Sequence, residues 1–187
     1  MYQAGDYIVY GSTGVCCVES ITTPKETPAL SGFEQDRQFY VLKPLYQTGT
    51  VYTPVEQKRV LMRHVITRAE AESFINMIPT IQAQAYYAQS MQELRVHYET
   101  ATQTYDCADL IELTMSIYAK KQYVEQQKRK FGQVDEHYLK RAEEMLYGEF
   151  AVALDIPVEE VQAYIEEKVA AAEQKPEQPQ ENATQEL

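Results

Sequence analysis

The chain has 187 residues, of which 44% are hydrophobic, and a formal net charge of −11. That length supports a buried core and one or two domains. The acidic balance argues against strong non-specific affinity for nucleic acid. No apolar run approaches the ~20 residues of a membrane helix. The first residues have neither the basic nor the apolar region of a signal peptide. Three cysteines cannot all pair within one chain, and no Cys/His spacing suggests zinc. Cys16 and Cys17 are adjacent and point to opposite faces of a strand. A soluble cytoplasmic protein with reduced thiols and no membrane partner is expected.

Residues 1–64 read as β structure. The predicted strands are Tyr7–Tyr10, Val15–Ile21, Gln38–Leu42, Thr50–Val55 and a short Val60–Met62. Gly11-Ser12-Thr13-Gly14 turns the chain between the first two. A long polar loop, Thr22–Arg37, joins the second to the third. Pro54 suits an edge or a strand end, because proline cannot donate to a ladder. Five short strands in about 60 residues make a poor open sheet, so a small closed barrel is expected.

The period changes at Thr67. Thr67-Arg68-Ala69-Glu70 fits a capping box, and Pro79 ends the short helix that follows. Beyond Thr80 the chain reads as helical throughout. Ile81 to Tyr105 is one long predicted helix, with Tyr87, Met91, Leu94 and Tyr98 at helical spacing. Asp106 caps the next, which runs to Phe131 and stops at Gly132. Asp135 caps a third, ending near Leu154, and Pro157 opens a fourth. Glu173 to Leu187 is rich in Gln, Glu and Pro and is expected to be disordered. The fold class is thus α+β in two domains: a five-stranded barrel over residues 1–66 and an all-α bundle over 67–172, with an acidic tail over 173–187.

The residues of catalysis are sparse. His64, His97 and His137 sit in no metal or nucleophile motif, and there is no Walker lysine or GxGxxG. Gly11-Ser12-Thr13-Gly14 leads into a strand rather than a helix, so it lacks the anion-binding logic of a phosphate loop. No enzymatic activity, cofactor, metal or small-molecule substrate is expected, and the chain is read as a monomer. Residues 1–78 carry seven Lys and Arg against eight Asp and Glu, whereas residues 79–187 carry ten against twenty. Within that acidic half, Lys120-Lys121, Lys128-Arg129-Lys130 and Lys140-Arg141 cluster around one helix end and the next helix. They read as complements to a helix dipole or as a phosphate-contacting patch. The fifteen tyrosines, with no tryptophan, read as rim residues with wet hydroxyls or as a binding surface.

Several segments together carry a family resemblance. They are Gly5-Asp6-Tyr7-Ile8-Val9-Tyr10, the turn ending in Gly14-Val15, Phe39-Tyr40-Val41-Leu42-Lys43, Thr50-Val51-Tyr52-Thr53-Pro54-Val55 and Val60-Leu61-Met62-Arg63. They resemble the CarD-like (CdnL) transcription regulators and the RNA-polymerase-interaction domain of the transcription-repair coupling factor. More weakly, Tyr98, Cys107-Ala108-Asp109, Leu139-Lys140-Arg141-Ala142 and Leu146-Tyr147-Gly148-Glu149 resemble the family's helical part. The resemblance implies a Tudor-like barrel that binds the β subunit of bacterial RNA polymerase by edge-strand pairing. The matching strand supplies Thr50, Val51, Tyr52, Thr53 and Pro54, flanked by Arg37 and Lys43.

The resemblance also implies that the helical domain contacts promoter DNA at the upstream edge of the bubble and modulates initiation-complex stability. Leu94 then stands at the position of an apolar wedge, with Arg95, Lys128, Lys130 and Arg141 as candidate phosphate contacts. Glu99 and Glu136 stand where basic residues are expected, and carboxylates repel phosphate. A second reading, a polymerase-tethered adaptor whose acidic bundle binds protein and not DNA, therefore stays open.

Overall fold

The computed structural model describes residues 1–173. Apart from Glu173, the tail expected to be disordered lies outside the described residues. Five strands form one antiparallel sheet: β1 (Tyr7–Tyr10), β2 (Gly14–Thr22), β3 (Phe39–Pro44), β4 (Val51–Pro54) and β5 (Met62–His64). Their order is β4-β3-β2-β1-β5. β1 and β2 are joined by a single tight turn. Gly11 there has φ of +44°, and a Cβ on it would lie 2.7 Å from Val60. Both facts require glycine.

All five strands contribute to one small core. Ile8, Cys16, Val18, Tyr40 and Leu42 are buried, with Val51 and Met62 packed against them. The two ends of the ladder thus share a core, but among the described residues no ladder joins β4 to β5. The expected closed barrel is not seen as closed pairing. The Gln57 side chain explains this locally. Its Oε1 accepts from the Val60 N–H at 2.9 Å, and its Nε2 donates to the Val60 carbonyl at 3.0 Å. Val60 is consumed by that turn, so β5 begins at Met62, two residues later than predicted.

Five helices follow: α1 (Arg68–Met77), α2 (Met91–Thr102), α3 (Cys107–Gln126), α4 (Gln133–Leu154) and α5 (Val158–Glu173). The capping box at α1 is present in both directions, with Thr67 accepting from the Glu70 N–H and Glu70 accepting from the Thr67 N–H. The long helix predicted from Ile81 is not formed. Residues 81–89 carry neither helix nor strand, and α2 begins only at Met91. Pro79 closes one end of that segment. Ser90 closes the other, because its hydroxyl caps the Glu93 N–H at 3.1 Å while Glu93 accepts from the Gln89 N–H at 2.9 Å.

Two further expectations are corrected at the α3–α4 junction. α3 stops at Gln126, not Phe131, and Lys128 takes a left-handed φ of 54°. Gly132 is the N-cap of α4 rather than a stop. Asp135 is no cap either. It is the third residue of α4 and is buried. Its Oδ1 accepts from the Tyr98 hydroxyl and from Lys120 Nζ, both at 2.7 Å. A Cβ on Gly132 would meet Asp135 Oδ2 at 2.5 Å, so the buried carboxylate dictates that glycine. Around this group lies the bundle core, which includes Tyr98, Leu110, Ile111, Ile117, Phe150 and Leu154. Burying each such aliphatic or aromatic side chain stabilises the bundle by roughly 1.5–3 kcal/mol.

A buried charge that loses its partner is expensive. Lys120→Met is expected to destabilise the bundle by about 3–5 kcal/mol, because Asp135 stays buried without its cation. Urea unfolding followed by circular dichroism measures it; a loss below about 1 kcal/mol would mean that Asp135 is satisfied without Lys120.

Candidate protein-docking edge

Among the described residues, β4 is hydrogen-bonded on one flank only. It pairs with β3 in the register Phe39–Pro54, Tyr40–Thr53, Val41–Tyr52 and Leu42–Val51. The Val55 N–H also donates to the Gln38 carbonyl at 3.0 Å. In an antiparallel ladder the backbone groups of alternate residues face the partner strand. The Gln38–Val55 bond therefore assigns Val51, Thr53 and Val55 to β3. Thr50, Tyr52 and Pro54 turn their backbone groups outward. Pro54 has no N–H, and its carbonyl already accepts from the Gln57 N–H at 3.1 Å. Tyr52 thus presents the central free N–H and C=O of the edge, with those of Thr50 beside them.

The side chains follow the same alternation. Thr53 is 2% exposed and Val51 packs on the sheet core, whereas Tyr52 is 37% exposed. The register places Lys43 opposite Thr50, at one end of the edge. Lys43 Nζ lies 3.7 Å from Glu19, its neighbour on β2. Arg37 precedes β3, near the Pro54 end, with its guanidinium 5.8 Å from the centre of the Phe39 ring. The seven residues singled out in the sequence are thus brought to one edge, with the two cations at opposite ends of it.

This edge is positioned by a junction at the far end of the ladder. Arg63, on β5, pairs bidentately with Glu149 of α4. Its Nη2 also donates to the Tyr105 carbonyl at 2.6 Å. Glu149 is 2% exposed and further accepts from the Ile66 N–H at 3.1 Å and the Cys107 thiol at 3.2 Å. Burial works to lower the pKa of Arg63, but the hydrogen bond and charge of Glu149 outweigh it and hold it above its ordinary value. Burial, then Glu149, pushes the Cys107 thiol up. A second tie is Tyr46, whose hydroxyl donates to the Gly148 carbonyl at 3.1 Å while its ring leaves no room for a Cβ there. Sequence reading quoted Arg63, Gly148 and Glu149 inside motifs but assigned them no role. The signal was the pairing of a half-buried cation and a buried anion across 86 residues, which no local pattern carries.

The residues proposed for DNA contact fare differently. Leu94 is 5% exposed and belongs to the bundle core, so it is not presented as a wedge. Arg141 lies 3.8 Å from Glu99, which also accepts from the Tyr138 hydroxyl at 2.7 Å. That hydrogen bond first, then Arg141, holds the Glu99 carboxyl below its ordinary pKa. Arg95 is exposed, and its charge acts on Tyr138 together with that of Arg141. Lys128 and Lys130 are exposed on the α3–α4 connection. Lys120, from the same run of basic residues, is buried against Asp135 and takes no part in a surface patch. The tyrosines are less wet than expected. Besides Tyr98 and Tyr138, Tyr118 donates to Glu143 and Tyr164 to Glu72.

A short sheet with one unpaired edge, fixed to a helical bundle at its other end, has the build of a docking module for another protein chain. Residues 2–66 match the CarD-like/TRCF RID domain. The N-terminal sheet is therefore similar to the domain through which that family interacts with RNA polymerase. No curated protein matches the chain. Among the described residues no helix is long and apolar enough to cross a membrane.

Arg63→Met leaves Glu149 buried without its cation. The expected cost is about 3–5 kcal/mol, with sheet and bundle no longer unfolding together. Urea titration followed separately by tyrosine fluorescence and by far-ultraviolet circular dichroism checks this. Coincident curves at wild-type stability would show the pair to be dispensable.

Proposed function

We propose that this chain is a non-enzymatic transcription regulator that docks on the β subunit of bacterial RNA polymerase by strand addition at β4, and so modulates the stability of the initiation complex. The observation that carries the reading is the single-flank pairing of β4 within a domain whose family interacts with RNA polymerase. Main-chain pairing supplies affinity without demanding particular side chains, and the outward Tyr52 N–H and C=O are its anchor. Thr50, Val51, Thr53 and Pro54 complete the strand. Arg37 and Lys43 steer from its ends, where a lobe with acidic residues would meet them. The shared core of β4 and β5 supports reading the sheet as a strongly curled, Tudor-like barrel.

A second reading concerns the bundle. The burial of Leu94 and the pairing of Arg141 with Glu99 favour a polymerase-tethered adaptor without DNA contact over a promoter-contacting domain. Arg95, Lys128 and Lys130 remain the cations through which the helical domain would approach the upstream edge of the bubble. A gel shift on a forked promoter, with polymerase, separates the two. Supershifting that weakens when Arg95, Lys128 and Lys130 are neutralised supports DNA contact; supershifting indifferent to them supports the adaptor.

Strand addition at β4 has a direct test. Tyr52→Pro removes the outward donor but no bond to β3, so the domain is expected to fold as before. Binding to the isolated β lobe, measured by calorimetry, is expected to weaken by about tenfold or more. Unchanged affinity would refute edge pairing.

A further inference from the structure

The bundle carries a groove of about 980 Å³ that none of the roles above uses. Its floor is α3 from Ala108 to Ser116, which spans about 12 Å at the helical rise. One wall is α2 from His97 to Thr104, and the other is the irregular segment 81–86. Tyr86 and His97, the outermost lining residues of those two walls, stack with 3.7 Å between ring centres and close one end. The Ser116 hydroxyl holds the Gln84 carbonyl at 2.7 Å and so ties the irregular wall to the floor.

The lining selects by polarity and by charge. Ile81, Ala83, Ala85 and Ala101 are half-buried and Ala108 is exposed, so small apolar side chains line the walls and leave room for larger ones from outside. Asp109 and Glu112, one turn apart on α3, are the charged lining residues, and no lysine or arginine lines the groove. Among the described residues neither carboxylate has an ion-pair partner. The dipole of α3 answers part of the Asp109 charge, in the first turn, but fades before Glu112.

Charge therefore asks for a cationic occupant, and the backbone asks for a helical one. The main chain of α2 and α3 is hydrogen-bonded within each helix, and the Gln84 carbonyl is already taken. An incoming chain finds few main-chain partners here, whereas a helix satisfies its own. Two turns of helix are about 11 Å long and fill roughly 900 Å³, which matches the floor and the groove. Residues 174–187 of the chain itself fit neither demand, with one lysine against three glutamates and with two prolines.

We infer that this groove takes about two turns of an amphipathic helix from a partner protein. The apolar stripe of that helix packs on Ile81 and the alanines, and its lysines or arginines meet Asp109 and Glu112. The site lies on the bundle and uses nothing of β4. It stands whether or not the sheet docks on polymerase, and the chain would hold two partners at once.

The test uses the full chain and three fourteen-residue synthetic peptides. The first combines Leu and Lys with leucine at every third or fourth position. The second replaces its lysines by glutamates. The third has the composition of the first but alternates Leu with Lys, the period of a strand. Calorimetry reads affinity, and amide chemical shifts by NMR read the place. The first peptide is expected to bind at least about tenfold tighter than either other, with shifts confined to residues 81–86, 97–104 and 108–116. Ala108→Trp, which fills the groove from an exposed position, is expected to weaken binding about tenfold, and Glu112→Lys about fivefold. Both positions are exposed, so both variants are expected to fold. Glu160→Lys makes the same charge change on α5 outside the groove, and it and Tyr52→Pro are expected to leave binding unchanged. Equal binding of the second or third peptide, or an equal loss in Glu160→Lys, would overturn the site. Self-association of the free chain that Glu112→Lys abolishes would make a second copy the occupant and overturn the partner helix.

Discussion

The Arg63–Glu149 pair is the contact on which the two halves of this molecule depend. A carboxylate 2% exposed would be costly to bury alone, and its cost falls only when nearly every lone pair finds a donor. Glu149 finds four: two from Arg63, one from the Ile66 backbone and one from the Cys107 thiol. These donors come from β5, from the link to α1 and from the start of α3. Glu149 itself belongs to α4. One buried anion therefore gathers four separate parts of the chain, and the sheet cannot slide on the bundle without breaking several charge-assisted bonds together. Tyr105 adopts a left-handed φ of 52° in the same place, aiming its carbonyl at the guanidinium. A strained backbone is tolerated there because its surroundings over-determine it.

The same accounting explains why an acidic bundle holds so many tyrosines. A buried phenol needs an acceptor, and this half of the chain has carboxylates to spare. Tyr98 donates a hydrogen bond to Asp135, Tyr138 to Glu99, Tyr118 to Glu143 and Tyr164 to Glu72. Each bond lets an aromatic ring pack inward while its oxygen stabilises a negative charge. Among the described residues, no buried side-chain nitrogen or oxygen is left without a partner. A bundle with eighteen acids against ten bases over residues 67–172 thus closes largely through hydrogen bonds to its anions, with only a few ion pairs among the described residues.

What could be read in advance divides along the range of the interaction. The α1 capping box is written in four consecutive residues, and the β1–β2 turn in Gly11 to Gly14, so both were legible. Asp135 misled because an aspartate at a helix start is locally a good cap; its partners Tyr98 and Lys120 are 37 and 15 residues away. Residues 81–89 misled for a related reason. Gln and Ala favour helix, but the propensity of nine residues is a few kcal/mol at most, and a serine cap at one end with a proline at the other overrides it. Leu94 showed both signals at once. Its spacing to Tyr98 marked one side of a helix, the resemblance marked a wedge, and the structure buries it in the bundle core. The edge position of β4 was legible because Pro54 announces it; the junction was not, since Arg63 and Glu149 share no local pattern.

A bare strand edge is a hazard, because any extended chain can add to it. β4 limits that hazard by its brevity. It has four residues, and one of them is a proline without a donor. Its Pro54 carbonyl is already occupied, so Tyr52 and Thr50 alone face a newcomer. Two such β4 edges paired with each other would share too few bonds to offset the loss of translational freedom, whereas a partner that also engages Arg37 and Lys43 gains contacts at both ends. Selectivity for a particular partner over self-association then follows from poverty of backbone groups rather than from abundance of side chains. The junction at β5 serves the same end from the opposite side of the ladder. It ties one end of the sheet to the bundle, and leaves β4 as the end at which the ladder can grow.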